Sequence, residues 1–140
     1  MALVYFDASA LVKLCVPEPG SELASALWNR ADLVVTSRLA DVELRAALAA
    51  GLRAGVLDAA AHDRAVARWE ELWPALHRVE VTAELADQAA ALAAGTDPLR
   101  GADAVHVAGA IAVMRDGGIL AAWDERVATA ARSHGLRVLP

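Results

Sequence analysis

Leu3-Val4-Tyr5-Phe6-Asp7-Ala8-Ser9-Ala10-Leu11-Val12-Lys13-Leu14 opens with four apolar residues, an acid and then an apolar helical pattern. Unbroken apolar residues read as a strand buried on both faces, here Met1 to Phe6, with Asp7 at its carboxyl end. Ser9 is expected to cap a short helix, Ala10-Leu11-Val12-Lys13-Leu14-Cys15-Val16, which Pro17 and Pro19 end. A buried strand running straight into a helix is the opening of a βαβ unit, so the question is whether the alternation continues.

It does. Ser21 is expected to cap a helix to about Arg30, and Leu33-Val34-Val35-Thr36 reads as the second strand. Ser37 then opens a long helix to about Arg53, closed by Gly55. Asp58 caps a helix carrying Trp69, Leu72 and Trp73 that stops at Pro74. A third strand spans His77 to Val81, and Thr82 caps a helix over 83–94. The loop Gly95-Thr96-Asp97-Pro98-Leu99-Arg100-Gly101 leads into a helix from about Ala102 to Met114. A strand at 119–123, a helix over Glu125 to Ser133 and a last strand, Leu136 to Leu139, complete the chain. Strands separated by helices and short loops predict an α/β fold with a mainly parallel central sheet flanked by helices. With no repeat and no linker, residues 1–140 are expected to form a single domain.

Composition narrows the function classes. A hydrophobic fraction of 57% excludes a disordered chain, and much of it is alanine, which favours closely packed helices. The near-apolar stretch from Ala104 to Met114 is too short to span a bilayer, and the first residues have no basic segment of the signal-peptide kind. A cytoplasmic protein without membrane association is therefore expected. The single cysteine, Cys15, excludes an intramolecular disulfide and reads as a buried thiol. A net charge of −5 argues against a general polyanion binder, and an aromatic fraction of 4% leaves no stacking platform for single strands.

Four acids stand out. Asp7 and Asp124 each follow an apolar run, Asp124 after Ile119-Leu120-Ala121-Ala122-Trp123. Glu43 and Asp103 fall in the early turns of two alanine-rich helices, Glu43 beside Leu39, Val42 and Ala46 at core spacing. Taken singly, Asp7 reads as a helix cap and Asp103 as an acid favoured by the helix dipole. Taken together they are expected beyond the carboxyl ends of parallel strands, where open α/β sheets place their sites. Four like charges there call for a cation, and an all-oxygen set suits Mg²⁺ or Mn²⁺.

Four segments carry a family resemblance, in order and over nearly the whole chain. They are Val4-Tyr5-Phe6-Asp7-Ala8-Ser9-Ala10-Leu11, Thr36-Ser37-Arg38-Leu39-Ala40-Asp41-Val42-Glu43-Leu44, Leu99-Arg100-Gly101-Ala102-Asp103-Ala104-Val105-His106, and Ala122-Trp123-Asp124-Glu125-Arg126-Val127. The chain resembles PIN-domain ribonucleases of the VapC toxin type. The second acid falls on Glu43 rather than Asp41. Where that family often carries a hydroxyl residue two positions before the fourth acid, this chain has Ala122. That departure bears on a second metal position, not on the first three acids.

The resemblance implies a PIN-like three-layer fold and Mg²⁺-dependent hydrolysis of RNA phosphodiester bonds. Asp7, Glu43, Asp103 and Asp124 would be the catalytic, metal-holding acids, Asp7 and Asp103 holding the ion directly and Glu43 and Asp124 ligating it or orienting its waters. It further implies a homodimer and a cognate antitoxin protein that occupies the acidic groove. The apolar helix surface, with Trp69 and Trp73 placed in a core or subunit interface, agrees with self-association. Ser9 could bond an acid or a scissile phosphate oxygen. Arg100, Lys13, Arg38 and Arg45, each near a motif acid, are candidates for phosphate contact. His106, on an apolar helix, reads as a satisfied packing residue.

Rival readings fare worse. A haloacid dehalogenase-like phosphatase wants a second Asp where this chain has Ser9, and a receiver domain wants a late Lys where Lys13 is the sole lysine. A non-catalytic PIN-like module binding RNA or protein is the alternative that keeps the fold, and retention of all four acids argues against it.

Overall fold

The computed structural model describes residues 2–140, so Met1 lies outside the described residues. The first strand, β1 (Leu3–Phe6), is the centre of the sheet, with Val4, Tyr5 and Phe6 all buried. The other strands are β2 (Leu33–Ser37), β3 (His77–Val79), β4 (Ile119–Ala121) and β5 (Val138–Leu139). All pair in parallel, in the order β3-β2-β1-β4-β5. Tyr5 stands opposite Val35 on one side and Leu120 on the other. The strand order reverses direction between β1 and β4, and a crevice outside the strand ends is expected there.

The helices are α1 (Ala8–Cys15), α2 (Ser21–Arg30), α3 (Ala40–Arg53), α4 (Ala59–Leu72), α5 (Ala83–Ala93), α6 (Gly101–Val113) and α7 (Glu125–Ser133). A 3₁₀ turn at Trp73–Ala75 follows α4, set by Pro74. Alternation along β1 sorts them into two layers. Val4 and Phe6 pack with Leu11, Leu44, Leu48 and Trp69, from α1, α3 and α4. Tyr5 packs with Val107, Ala110, Val127 and Ala131, from α6 and α7. Helix α5 lies outside α6, joined through Leu85, Ala89, Ala104 and Ala108. The result is the expected three-layer α/β architecture. No helix among the described residues is long and apolar enough to cross a membrane.

Several local expectations need correction, each for a definable reason. Asp7, not Ser9, caps α1, because its side chain accepts the Ala10 N–H and the helix starts at Ala8. Gly20 rather than Ser21 precedes α2, in a left-handed conformation, and an added Cβ there would lie 2.6 Å from Trp123 Nε1. Ser21 instead bonds the preceding loop, accepting from Glu18 N and donating to the Val16 carbonyl. Ser37 ends β2, and α3 begins three residues later. The buried face of α3 is Ala40, Leu44 and Leu48, while Val42 is 66% exposed. An alanine-rich helix has a weak apolar stripe, so packing partners choose the face. The strands at 77 and 136 are shorter than expected, β3 ending at Val79 and β5 starting at Val138.

Candidate active site

Asp7 is placed by the junction of β1 and α1. Its Oδ1 accepts the Ser9 hydroxyl at 2.6 Å and the Ala10 N–H at 3.0 Å. The Ser9 Oγ in turn accepts the Trp123 backbone N–H at 2.9 Å, tying the exit of β4 to the exit of β1. Both bonds to the carboxylate fall on Oδ1, and Oδ2 makes no hydrogen bond among the described residues. Asp7 is only 3% exposed, and burial pushes its carboxyl up to about 6. The bonds from Ser9 and Ala10 and the nearby His106 oppose that rise, while the Glu43 charge adds to it.

Glu43 reaches the same region from the first turn of α3. Its Oε1 lies 2.5 Å from His106 Nε2, and the His106 Nδ1 lies 3.0 Å from the Tyr5 hydroxyl. Among the described residues neither Asp7 nor Glu43 is paired with an arginine or lysine. Burial, with the charges of Asp7 and Glu43 behind it, also raises the Tyr5 phenol well above its ordinary value.

Asp103 and Asp124 form a second couple. Asp103 lies one turn before His106 on α6, three residues apart and so on the same side of the helix. Its Oδ2 accepts the Arg100 backbone N–H at 3.1 Å, tying down the start of α6. Asp124 caps α7 through the Arg126 N–H at 2.9 Å and accepts the Arg126 guanidinium at 3.1 Å. Those bonds hold the Asp124 carboxyl below its usual range, opposite to the shift at Asp7. Asp103 also acts on Arg126 as a neighbouring negative charge.

All four acids thus stand at strand carboxyl ends or in first helical turns, and three of them double as helix-starting groups. The structure sets Asp7 against Glu43 and His106, and Asp103 and Asp124 beside Arg126. Among the described residues no three His, Cys, Asp or Glu side chains are arranged to hold a metal ion. The pair Asp7 and Glu43 nonetheless suits Mg²⁺, which keeps several waters and takes only one or two carboxylates directly.

The basic candidates differ from one another. Lys13 pairs with Glu18, donates to the Pro19 carbonyl and lies over the Trp123 ring, with its side chain only 12% exposed. Arg38 is held by Glu80 beside Trp73, and Arg45 by Asp41 and Glu70. Arg100 is exposed and in no ion pair among the described residues. Three participants escaped the sequence reading: Tyr5, Arg126 and the link from His106 to Glu43. A buried tyrosine hydroxyl needs a partner, and Asp103 with His106 marks one helix face; both were available signals.

The PIN domain family matches residues 4–136 of the chain. Ribonuclease VapC45 and Ribonuclease VapC49, both from Mycobacterium tuberculosis, are each 50% identical over 140 residues, covering 100% of this chain and 96% of their own. The crystal structure of VapC20 from the same organism, described as a Sarcin-Ricin loop cleaving toxin, superposes with a TM-score of 0.67. It covers 91% of this chain and 94% of its own at 22% identity, a likeness of fold alone. A family match across nearly the whole chain and half-identity to two full-length relatives lead to one conclusion: the chain belongs to the PIN-domain family, among its VapC-type members.

Proposed function

We propose that this chain is a Mg²⁺-dependent endoribonuclease, with Mn²⁺ able to substitute, acting as the toxin of a VapBC toxin–antitoxin pair. The observation that carries this reading is Asp7. A carboxylate 3% exposed, with Glu43 close by and no arginine or lysine paired to either, is a place built for an added cation. Full-length similarity to two proteins named as ribonucleases makes RNA the substrate to test first.

In this reading Asp7 and Glu43 hold the ion, and Asp103 and Asp124 orient its waters or the RNA. When bound, such an ion supplies a water of lowered pKa and positive charge at the leaving oxygen. Ser9 keeps the Asp7 carboxylate in one orientation, and Arg100 contacts a phosphate. In the hydrolysis a water oxygen bonds to phosphorus, the bond from phosphorus to the leaving oxygen breaks, and that oxygen takes up a proton. A single 140-residue domain suffices for this chemistry, and the protein acts as a homodimer restrained by an antitoxin.

The test is cleavage of a defined RNA with Mg²⁺, with chelator, and with Mg²⁺ restored. Cleavage that follows the metal and is lost in Asp7→Asn supports the reading. Cleavage unchanged by chelation removes the metal mechanism. RNA binding without any cleavage at saturating metal favours the non-catalytic module.

A further inference from the structure

Behind Glu43 runs a buried chain of three side chains from three elements: Tyr5 on β1, His106 on α6 and Glu43 on α3. Tyr5 is 0% exposed and His106 2% exposed. A carboxylate at Glu43 only accepts, so in that state His106 Nε2 is the donor between the two. When His106 is neutral with its proton on Nε2, Nδ1 accepts and the Tyr5 hydroxyl, 3.0 Å away, donates to it. The Tyr5 and His106 rings meet edge-on at 5.9 Å, which fixes the imidazole plane. No buried polar atom of these three side chains lacks a hydrogen-bond partner.

The backbone makes room for it. Gly109 lies three residues beyond His106 on α6, and a Cβ there would come within 2.9 Å of the Tyr5 hydroxyl. Glycine inside a helix costs about 1 kcal/mol relative to alanine, so its presence in a 13-residue helix calls for a packing reason. The close approach of Tyr5 is that reason.

We propose that His106, backed by Tyr5 and admitted by Gly109, is a positioning residue that locks the Glu43 carboxylate toward the cation shared with Asp7. The proposal rests on the metal-dependent reading above. A glutamate on a helix surface has several rotamers of similar energy. A buried donor of fixed orientation selects one of them before any metal arrives, and orienting partners of this kind commonly change metal affinity by roughly 10- to 100-fold.

The test uses the full-length protein and Mn²⁺ as probe, with its affinity read by electron paramagnetic resonance and RNA cleavage followed in parallel. Wild type and Asp7→Asn come first. His106→Leu is expected to weaken Mn²⁺ binding by about tenfold or more. His106→Gln, which can still donate to Glu43, is expected to recover most of that loss. Tyr5→Phe, nearly isosteric and therefore expected to stay folded, should weaken binding by a smaller factor in the same direction. Nitrogen-15 spectra of the metal-free protein should show His106 protonated on Nε2 and unprotonated on Nδ1. Mn²⁺ affinity unchanged in folded His106→Leu and Tyr5→Phe, or the opposite tautomer, overturns the proposal. Should His106→Leu not fold, Tyr5→Phe and the tautomer decide alone. Wild type that binds Mn²⁺ no better than Asp7→Asn brings down the metal reading itself, and the proposal with it.

Discussion

Asp7 faces two demands at once. It caps α1, which needs an acceptor at the helix start, and it presents a carboxylate in a buried, negatively charged setting. The two demands have opposite pH signatures. In the metal-free protein, unfolded Asp7 ionises near 3.8 while the native carboxyl keeps its proton until about 6. Between those values the native state binds more protons, so stability is greatest in acid and falls as pH rises through this window. The loss should be on the order of 2–3 kcal/mol, read from denaturant midpoints at pH 4 and pH 7. Asparagine is an equally good cap, so Asp7→Asn should flatten the profile without unfolding α1. A profile as steep in Asp7→Asn as in wild type would place the titration elsewhere. Arg100 is the other residue with a clear expectation. Its exposed side chain is free of ion pairs among the described residues, so Arg100→Ala should lower the salt slope of RNA binding by about 0.7. An unchanged slope makes it surface charge. Burial also pushes the Cys15 thiol up to about 12, which keeps it an unreactive core residue at neutral pH.

Among the elements, α3 shows how an alanine-rich helix is oriented. Leu44 and Leu48 meet Phe6 and Leu11 under the sheet, and Asp41 on the same helix accepts the Trp69 indole N–H at 2.8 Å. That bond satisfies the one polar atom of a fully buried tryptophan and pins α4 against α3. The orientation then sends Glu43 over the sheet edge to His106. Leu44→Ala should therefore cost roughly 2–5 kcal/mol in urea unfolding, whereas Val42→Ala should stay within about 0.5 kcal/mol. Equal costs at the two positions would mean that the helix faces the other way. The sequence pattern put Leu39, Val42 and Ala46 at core spacing, but Ala40, Leu44 and Leu48 recur at a helical spacing just as good. Only packing distinguishes them.

As for the assembled protein, Trp69 no longer argues for a dimer. It is 0% exposed within its own core, and Trp73 packs on Trp69 between Arg38 and Arg78. A cavity of about 810 Å³ runs between β3, α5 and α6 and is lined by none of the four acids. Sedimentation at micromolar concentration should give twice the monomer mass if the homodimer reading holds, and cleavage by Arg100→Ala or Asp7→Asn should change without changing that mass. A monomer by sedimentation would remove the dimer while leaving the site intact. A co-expressed antitoxin should suppress cleavage; undiminished activity at saturating antitoxin would remove that partner.

The order of strands and helices, the parallel sheet and the position of Asp7 at a strand end were legible in the sequence, because each depends on the periodicity of a few neighbouring residues, whereas β4 stops at Ala121 and leaves Asp124 as the cap of α7. The acids of the two helices were legible as early-turn residues for the same reason. What the sequence did not contain was the partnering. His106 meets Tyr5 across 101 positions and Glu43 across 63, and nothing local to any of the three announces the other two. The buried face of α3 and the burial of Trp69 are of the same kind. Each was settled by which surfaces the folded sheet and its helices brought into contact, since a side chain's direction and its desolvation are properties of its neighbours in space.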